Sequence, residues 1–146
     1  MGDDDVVINP KLLSSLTLML KKHAYGLLRL NYVSLSPDKR SVFDFRASKH
    51  FVNDANLPAN VAAPTIIQFI EHMDASFMSG LVFLNALPKN VRILQSELNC
   101  WFPVLFWAAK EHGACYISTP SILASWSRWR PTKNRRHSLY SMVEGR

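Results

Sequence analysis

The residues best suited to chemistry lie near the end of the chain. There Trp126, Arg128, Trp129, Arg130, Lys133, Arg135 and Arg136 interleave two indoles with five cations. Guanidinium groups pair with phosphates in a bidentate fork, and indole rings stack on exposed bases. This spacing therefore suits RNA or single-stranded DNA better than a duplex groove. Other readings stay open at this point: both tryptophans belong to a core and the arginines form a solvated tail, or the partner is an acidic protein or a membrane surface. Trp and Arg also favour the lipid interface, but a short helix here offers too narrow an apolar face for that role.

Charge placement sharpens the picture. The segment from Arg128 to Arg146 carries six basic residues and one acid, Glu144, a net +5 that leaves +1 of the chain's +6 for residues 1–127. A basic tail on a nearly neutral body reads as an electrostatic attachment device. Arg135-Arg136-His137-Ser138 fits the pattern that basophilic kinases accept, which makes Ser138 a candidate phosphosite. A phosphate there would add about −1.5 to −2 charges and weaken attachment to a polyanion.

The other groupings are weaker. Cys100, His112 and Cys115 supply three soft ligands where a structural zinc site wants four, so two buried thiols are the simpler reading and no metal is expected. His72 lies beside Glu71 and near Asp74, an arrangement that would suit a general base. Adjacent residues on a helix do not face one another, however. His23 falls on an apolar helix face, where a satisfied interior histidine is the ordinary outcome. No glycine-rich phosphate loop and no G-x-S-x-G turn occurs in a chain with only five glycines. No catalytic residues and no cofactor are assigned, and a non-enzymatic protein is expected.

These residues have to be positioned by the elements before them. At 146 residues and 48% hydrophobic composition the chain is most simply one domain with a sizeable core. Pro64 to Leu87 is the most strongly patterned stretch, with Ile66, Ile70, Met73, Phe77, Leu81 and Leu84 on one helical face. Asn9-Pro10 signals a helix start, and Leu12, Leu16, Leu20, Leu27 and Leu30 share a face of a helix running to about Leu30, with Arg29 on the polar side. Leu18 and Tyr25 sit seven apart among that helix's polar residues and mark a second surface for a protein partner or self-association.

Further along, Val42 to Arg46 alternates like a short strand, and Ala47 to Ala63 is a long irregular connection. Val91 to Phe102 has helical spacing, Pro103 kinks that helix or starts another, Val104 to Ala109 is apolar all round, and Gly113 is a plausible C-cap. Ala114 to Ser118 reads as a short extended piece, and Thr119-Pro120 as the start of a last helix carrying Ile122, Trp126 and Trp129. The sum is an all-α single domain of four to five helices, with at most a minor two-stranded β patch. Residues 1–8 form an acidic N-terminal tail, 9–130 the helical domain and 131–146 a basic, flexible C-terminal tail.

The function expected is a helical interaction subunit or accessory factor of a larger, self-associating assembly, its tail contacting RNA or another anionic partner. The alternatives are a purely protein-binding adaptor or oligomerisation module and, third, a small enzyme with an unrecognised site around His72, Glu71 and Asp74. The two longest apolar runs, Leu81 to Leu87 and Cys100 to Ala109, are about half the ~20 residues of a spanning helix, so no transmembrane segment is expected. With two cysteines and no secretory signal, a soluble intracellular protein is expected.

Overall fold

The computed structural model describes residues 6–35, 42–44, 48, 50–74, 79–85 and 101–124. In chain order the elements are β1 (Val6–Val7), α1 (Leu12–His23), β2 (Leu27–Leu35), β3 (Val42–Asp44), β4 (Ala55–Leu57), α2 (Ala63–His72), β5 (Leu81–Phe83), α3 (Phe102–His112) and β6 (Ala114–Ala124). The all-α expectation is overturned: the fold is mixed α/β, built on a curled sheet ordered β1-β6-β2-β3, with β4 also on β6 and β5 also on β2. The long strands β2 and β6 lie side by side and parallel, and every other pairing is antiparallel.

The physical reason for the discrepancy is burial on both faces. Leu27, Ala114 and Tyr116 pack with Ile66, Ile70, Met73, Leu105 and Ala108 of the α2 and α3 region. Their neighbours Leu28, Leu30, Cys115 and Ile122 pack with Leu12 and Leu16 of α1. Helices therefore cover both sides of the central pair. A strand covered on both faces reads as a nearly continuous apolar run, without the period-2 alternation that marks a half-exposed strand. Leu27-Leu28-Arg29-Leu30 in β2 and the two ends of β6, ACYI and ILA, lack that alternation, and Ser118 to Ser121 interrupt β6 between them.

Three elements expected as helix change identity or end early. The first helix stops at His23, where Ala24 turns left-handed (φ 48°) and donates its N–H to Leu20 O at 2.9 Å. Leu27 and Leu30 thus share no helix with Leu12. The α2 helix buries Ile66 and Ile70 as the pattern predicts, but ends at His72, followed by Met73 and a left-handed Asp74 (φ 52°); Leu81 belongs to β5, and Phe77 lies outside the described residues. Thr119-Pro120 starts no helix and falls in the middle of β6.

Proline is tolerated there because the ladder is already broken. The β2–β6 register slips on both sides of Asn31, which pairs with Pro120, and prolines within sheets sit at such irregularities. Side chains take over the backbone's bonds: Asn31 Nδ2 donates to Ser118 O at 2.6 Å, and Tyr32 N donates to Asn31 Oδ1 at 2.9 Å. Asp54 Oδ1 accepts from both Ser118 N (2.8 Å) and Ser118 Oγ (2.7 Å).

The helix start expected at Asn9-Pro10 falls two residues later: Asn9 Oδ1 accepts from Lys11 N at 3.0 Å, and Lys11, not Asn9, precedes the first residue of α1. Other local signals hold, and prolines occupy the first turns of α2 and α3. Gly113 caps α3 with φ 78°, a left-handed value that favours glycine. Its carbonyl then accepts from Gly26 N (3.1 Å) and Leu27 N (3.3 Å), tying the start of β2 to the start of β6. Among the described residues no helix is long and apolar enough to cross a membrane.

Candidate functional site

The residues that carry the nucleic-acid expectation, Trp126, Arg128, Trp129, Arg130, Lys133, Arg135 and Arg136, lie outside the described residues, as does Ser138. What the structure places is their root: β6, a strand flanked on both sides by pairing partners, ends at Ala124. Leu18 stands on α1 with 70% of its surface exposed. Tyr25 follows the end of α1, packs against the cluster around Leu12 and Cys115, donates its hydroxyl to Asn56 Oδ1 at 2.9 Å and stacks on His23 at 5.4 Å. The continuous helical face that paired Leu18 with Tyr25 is not formed.

The metal-like trio is dispersed. Cys100 lies outside the described residues, His112 is exposed at the end of α3, and Cys115 is buried toward α1 on the opposite side of the sheet. Burial, and secondarily the charge of Asp54, pushes the Cys115 thiol up to about 11, so it is protonated at neutral pH. Among the described residues no group of three or more His, Cys, Asp or Glu converges on one point.

The C-terminal end of α2 gathers the polar groups that sequence reasoning picked out and two that it missed. His72 stacks face to face on His50, with ring centroids 4.0 Å apart and an interplanar angle of 9°, and meets the edge of Phe51 at 5.9 Å. Ser48 organises the approach: its hydroxyl donates to His72 O and accepts from His50 N and Phe51 N, each at 3.0 Å. Parallel rings send their in-plane nitrogen lone pairs side by side, so the pair does not converge on a shared cation. Partial burial, then the neighbouring His50, holds His72 below the ordinary histidine range, and Glu71 opposes the shift. Nothing in the spacing of residues 47–63 signalled His50 or Ser48.

The sign of the resulting pH dependence follows from linkage. A histidine whose folded pKa lies below its unfolded value of about 6.5 takes up its proton more readily when unfolded. Stability is therefore expected to be flat above pH ~6.5, to decline as pH falls through that value, and to level off below the folded pKa. Replacing His50 by Gln removes one of the causes. The His72 proton resonances in a pH titration should then show a midpoint moved upward toward 6.5, and an unchanged midpoint would mean that the stack does not act on His72.

Arg29 is a third residue that sequence reasoning missed. Sequence periodicity put it on the polar side of a helix, whereas the structure buries it completely in β2. Its Nε donates to Met73 O at 3.2 Å and its Nη1 to Ser79 O at 2.8 Å, and its guanidinium lies 5.4 Å from the centre of the Tyr32 ring. A cation on the last carbonyls of α2 complements the negative end of the helix dipole. Burial draws the Arg29 pKa down, while Asp74, Tyr32 and Tyr116 hold it up. One carbonyl lies just past the end of α2 and the other just before β5, so this guanidinium ties those two points together through backbone acceptors. The available signal was a lone charge inside the apolar run Leu27-Leu28-Arg29-Leu30.

These groups do not assemble into a catalytic constellation among the described residues. His72 partners another histidine, and Arg29 is engaged with backbone. No protein-family model, curated protein or solved structure matches the chain.

Proposed function

We propose that the protein is a non-enzymatic interaction subunit of a larger or self-associating assembly, whose α/β body makes protein contacts and whose C-terminal segment holds RNA or another polyanion. The observation that carries this reading is the division of charge. Residues 128–146 hold +5 of the chain's +6, and they begin four positions past Ala124, the last residue of β6, a strand paired on both edges. Clustered arginines and tryptophans are the residue types that pair with phosphates and stack on exposed bases. Support for the protein-contact half comes from exposed apolar side chains at the start of the chain, Val6, Val7, Ile8, Leu13 and Leu18.

Binding to a short single-stranded RNA across a salt series tests the reading. Six cations acting on phosphates predict a log–log salt slope approaching about −4, at ~0.7 per contact on a single strand. A variant ending at Ser127 should lose at least ~100-fold in affinity at low salt. If the full chain shows no binding at low salt, the polyanion reading falls and the purely protein-binding adaptor remains. Its signature is a mass that rises with concentration in sedimentation without nucleic acid.

A further inference from the structure

The helix α1 turns a definite face outward. Leu12 and Leu16 are buried against Leu28, Leu30, Cys115 and Ile122 of the sheet. At about 100° per residue, Lys11, Ser14, Leu18, Lys21 and Lys22 fall on the opposite side, within roughly a third of the circumference, and all are exposed. Leu18 stands in the middle of that face with 70% of its surface open. The hydroxyls beside it are satisfied within the helix: Ser14 Oγ donates to Lys11 O and Thr17 Oγ1 to Leu13 O, each at 2.8 Å. What the face offers to anything outside is one leucine and three ammonium groups.

Helix stability alone does not account for this composition. Lys21 and Lys22 in the last turn complement the negative end of the helix dipole, but Lys11 occupies the N-cap position, where a cation meets the positive end. No acid lies on α1, nor anywhere from Val6 to Leu35, so no carboxylate on the helix offsets the lysines at i, i+3 or i, i+4 spacing. A single exposed leucine is ordinary. One at the centre of a helix face and ringed by three cations has the layout of a contact surface, an apolar centre with a charged rim.

Charge complementarity selects the occupant. A second copy meeting α1 on α1 across a two-fold axis would bring the same lysines and no acid to the contact. A phosphate polymer would take the lysines but leave Leu18 in water. A flat lipid surface would not receive both exposed leucines of the helix, because Leu13 lies about 140° around it from Leu18. A protein that sets carboxylates around an apolar pocket matches every one of these features.

We propose that the outward face of α1 docks on an acidic protein partner, with Leu18 entering an apolar pocket and Lys11, Lys21 and Lys22 pairing with carboxylates on its rim. This rests on the protein-contact half of the function proposed above, names that partner's chemistry, and assigns α1 to a partner other than a second copy. The rim pairs steer association and make it salt-dependent, whereas Leu18 is the anchor that holds it.

The test uses the full chain, isotope-labelled for amide resonances, and as probe a synthetic amphipathic helical peptide with leucines on one face and glutamates elsewhere. Amides from Lys11 to Lys22 are expected to shift on titration. The basic segment from Arg128 onward also attracts glutamates, and the position of the shifted amides separates the two. Leu18→Gln should weaken the α1 response about 10-fold, as loss of one buried leucine predicts. Lys21→Glu combined with Lys22→Glu should weaken it by at least about 10-fold. These side chains are exposed, so the variants keep the fold, which unchanged amide positions in the sheet verify. Polyglutamate, which has the charge without the leucines, should move the same amides about 10-fold more weakly.

If the α1 amides stay in place, or if both variants respond within twofold of the wild type, the proposal is overturned. A mass that rises with concentration in sedimentation would then leave the protein-contact reading standing on another surface, and a constant mass would remove that reading too. Broadening of the α1 amides by phosphatidylcholine–phosphatidylserine vesicles, without any response to the peptide, would overturn the proposal in favour of a lipid surface.

Discussion

Arg29→Ala is expected to lower the free energy of unfolding by about 3–5 kcal/mol, the sum of two buried hydrogen bonds from a charged donor. The side chain is fully buried, and its donors reach Met73 O at 3.2 Å and Ser79 O at 2.8 Å. Hydrogen bonds from charged groups contribute ~1.5–3 kcal/mol each, and losing the donor leaves buried carbonyls to bear their desolvation. The approach to β5 should loosen as well, because Gly80 (φ 91°) is seated with a hypothetical Cβ 3.2 Å from Arg29 Nη1, and its carbonyl accepts from Leu30 N at 2.8 Å. For a chain of this size the melting temperature should fall by about 10 °C. On the exposed face of a helix the same substitution would be nearly neutral or slightly favourable, since alanine is the best helix former. A loss under ~0.5 kcal/mol would mean that Arg29 is not buried in β2.

Gly26→Ala gives a second large effect, and its sign alone discriminates between folds. A Cβ at position 26 would lie 2.3 Å from Ala108 O and 2.8 Å from His112 Cβ, so the last turn of α3 would have to back away from the start of β2. Overpacking against backbone costs about 1–3 kcal/mol, and the displaced turn carries Gly113, whose carbonyl accepts from Gly26 and Leu27. A loss of at least ~2 kcal/mol is expected in denaturant unfolding, read as a shift of midpoint at constant slope. Were residue 26 inside a helix running to Leu30, the same change would stabilise by about 0.8–1 kcal/mol. A stabilised alanine variant would therefore sink the α3–β2 packing.

These two substitutions sit where the sequence misled for a definite reason. Leu12, Leu16 and Leu20 do share a helical face, and Leu27 and Leu30 happen to extend the same periodicity. The local chemistry that separates them is Ala24 in a left-handed conformation, which no residue type announces. Arg29 looked solvated because an isolated charge on a helix ordinarily is. The carbonyls of Met73 and Ser79, forty-four and fifty residues away, are among the partners that make its burial tolerable.

By itself the sequence determined what depends on nearest neighbours and on composition. It carried the proline-led starts of α2 and α3, the Gly113 cap, the burial of Ile66, Ile70 and Leu105, and the concentration of charge in residues 128–146. The tertiary structure decided whether an apolar run becomes strand or helix. In β2 and β6 both faces are covered, so neither a period of 2 nor a period of 3.6 survives in the pattern. It also decided which distant groups meet: Ser48 with His72, Asp54 with Ser118, and Arg29 with the carbonyls of Met73 and Ser79. Such pairings are set by parallel and antiparallel contacts between residues far apart in the chain, and a pattern read over a short window carries no record of them.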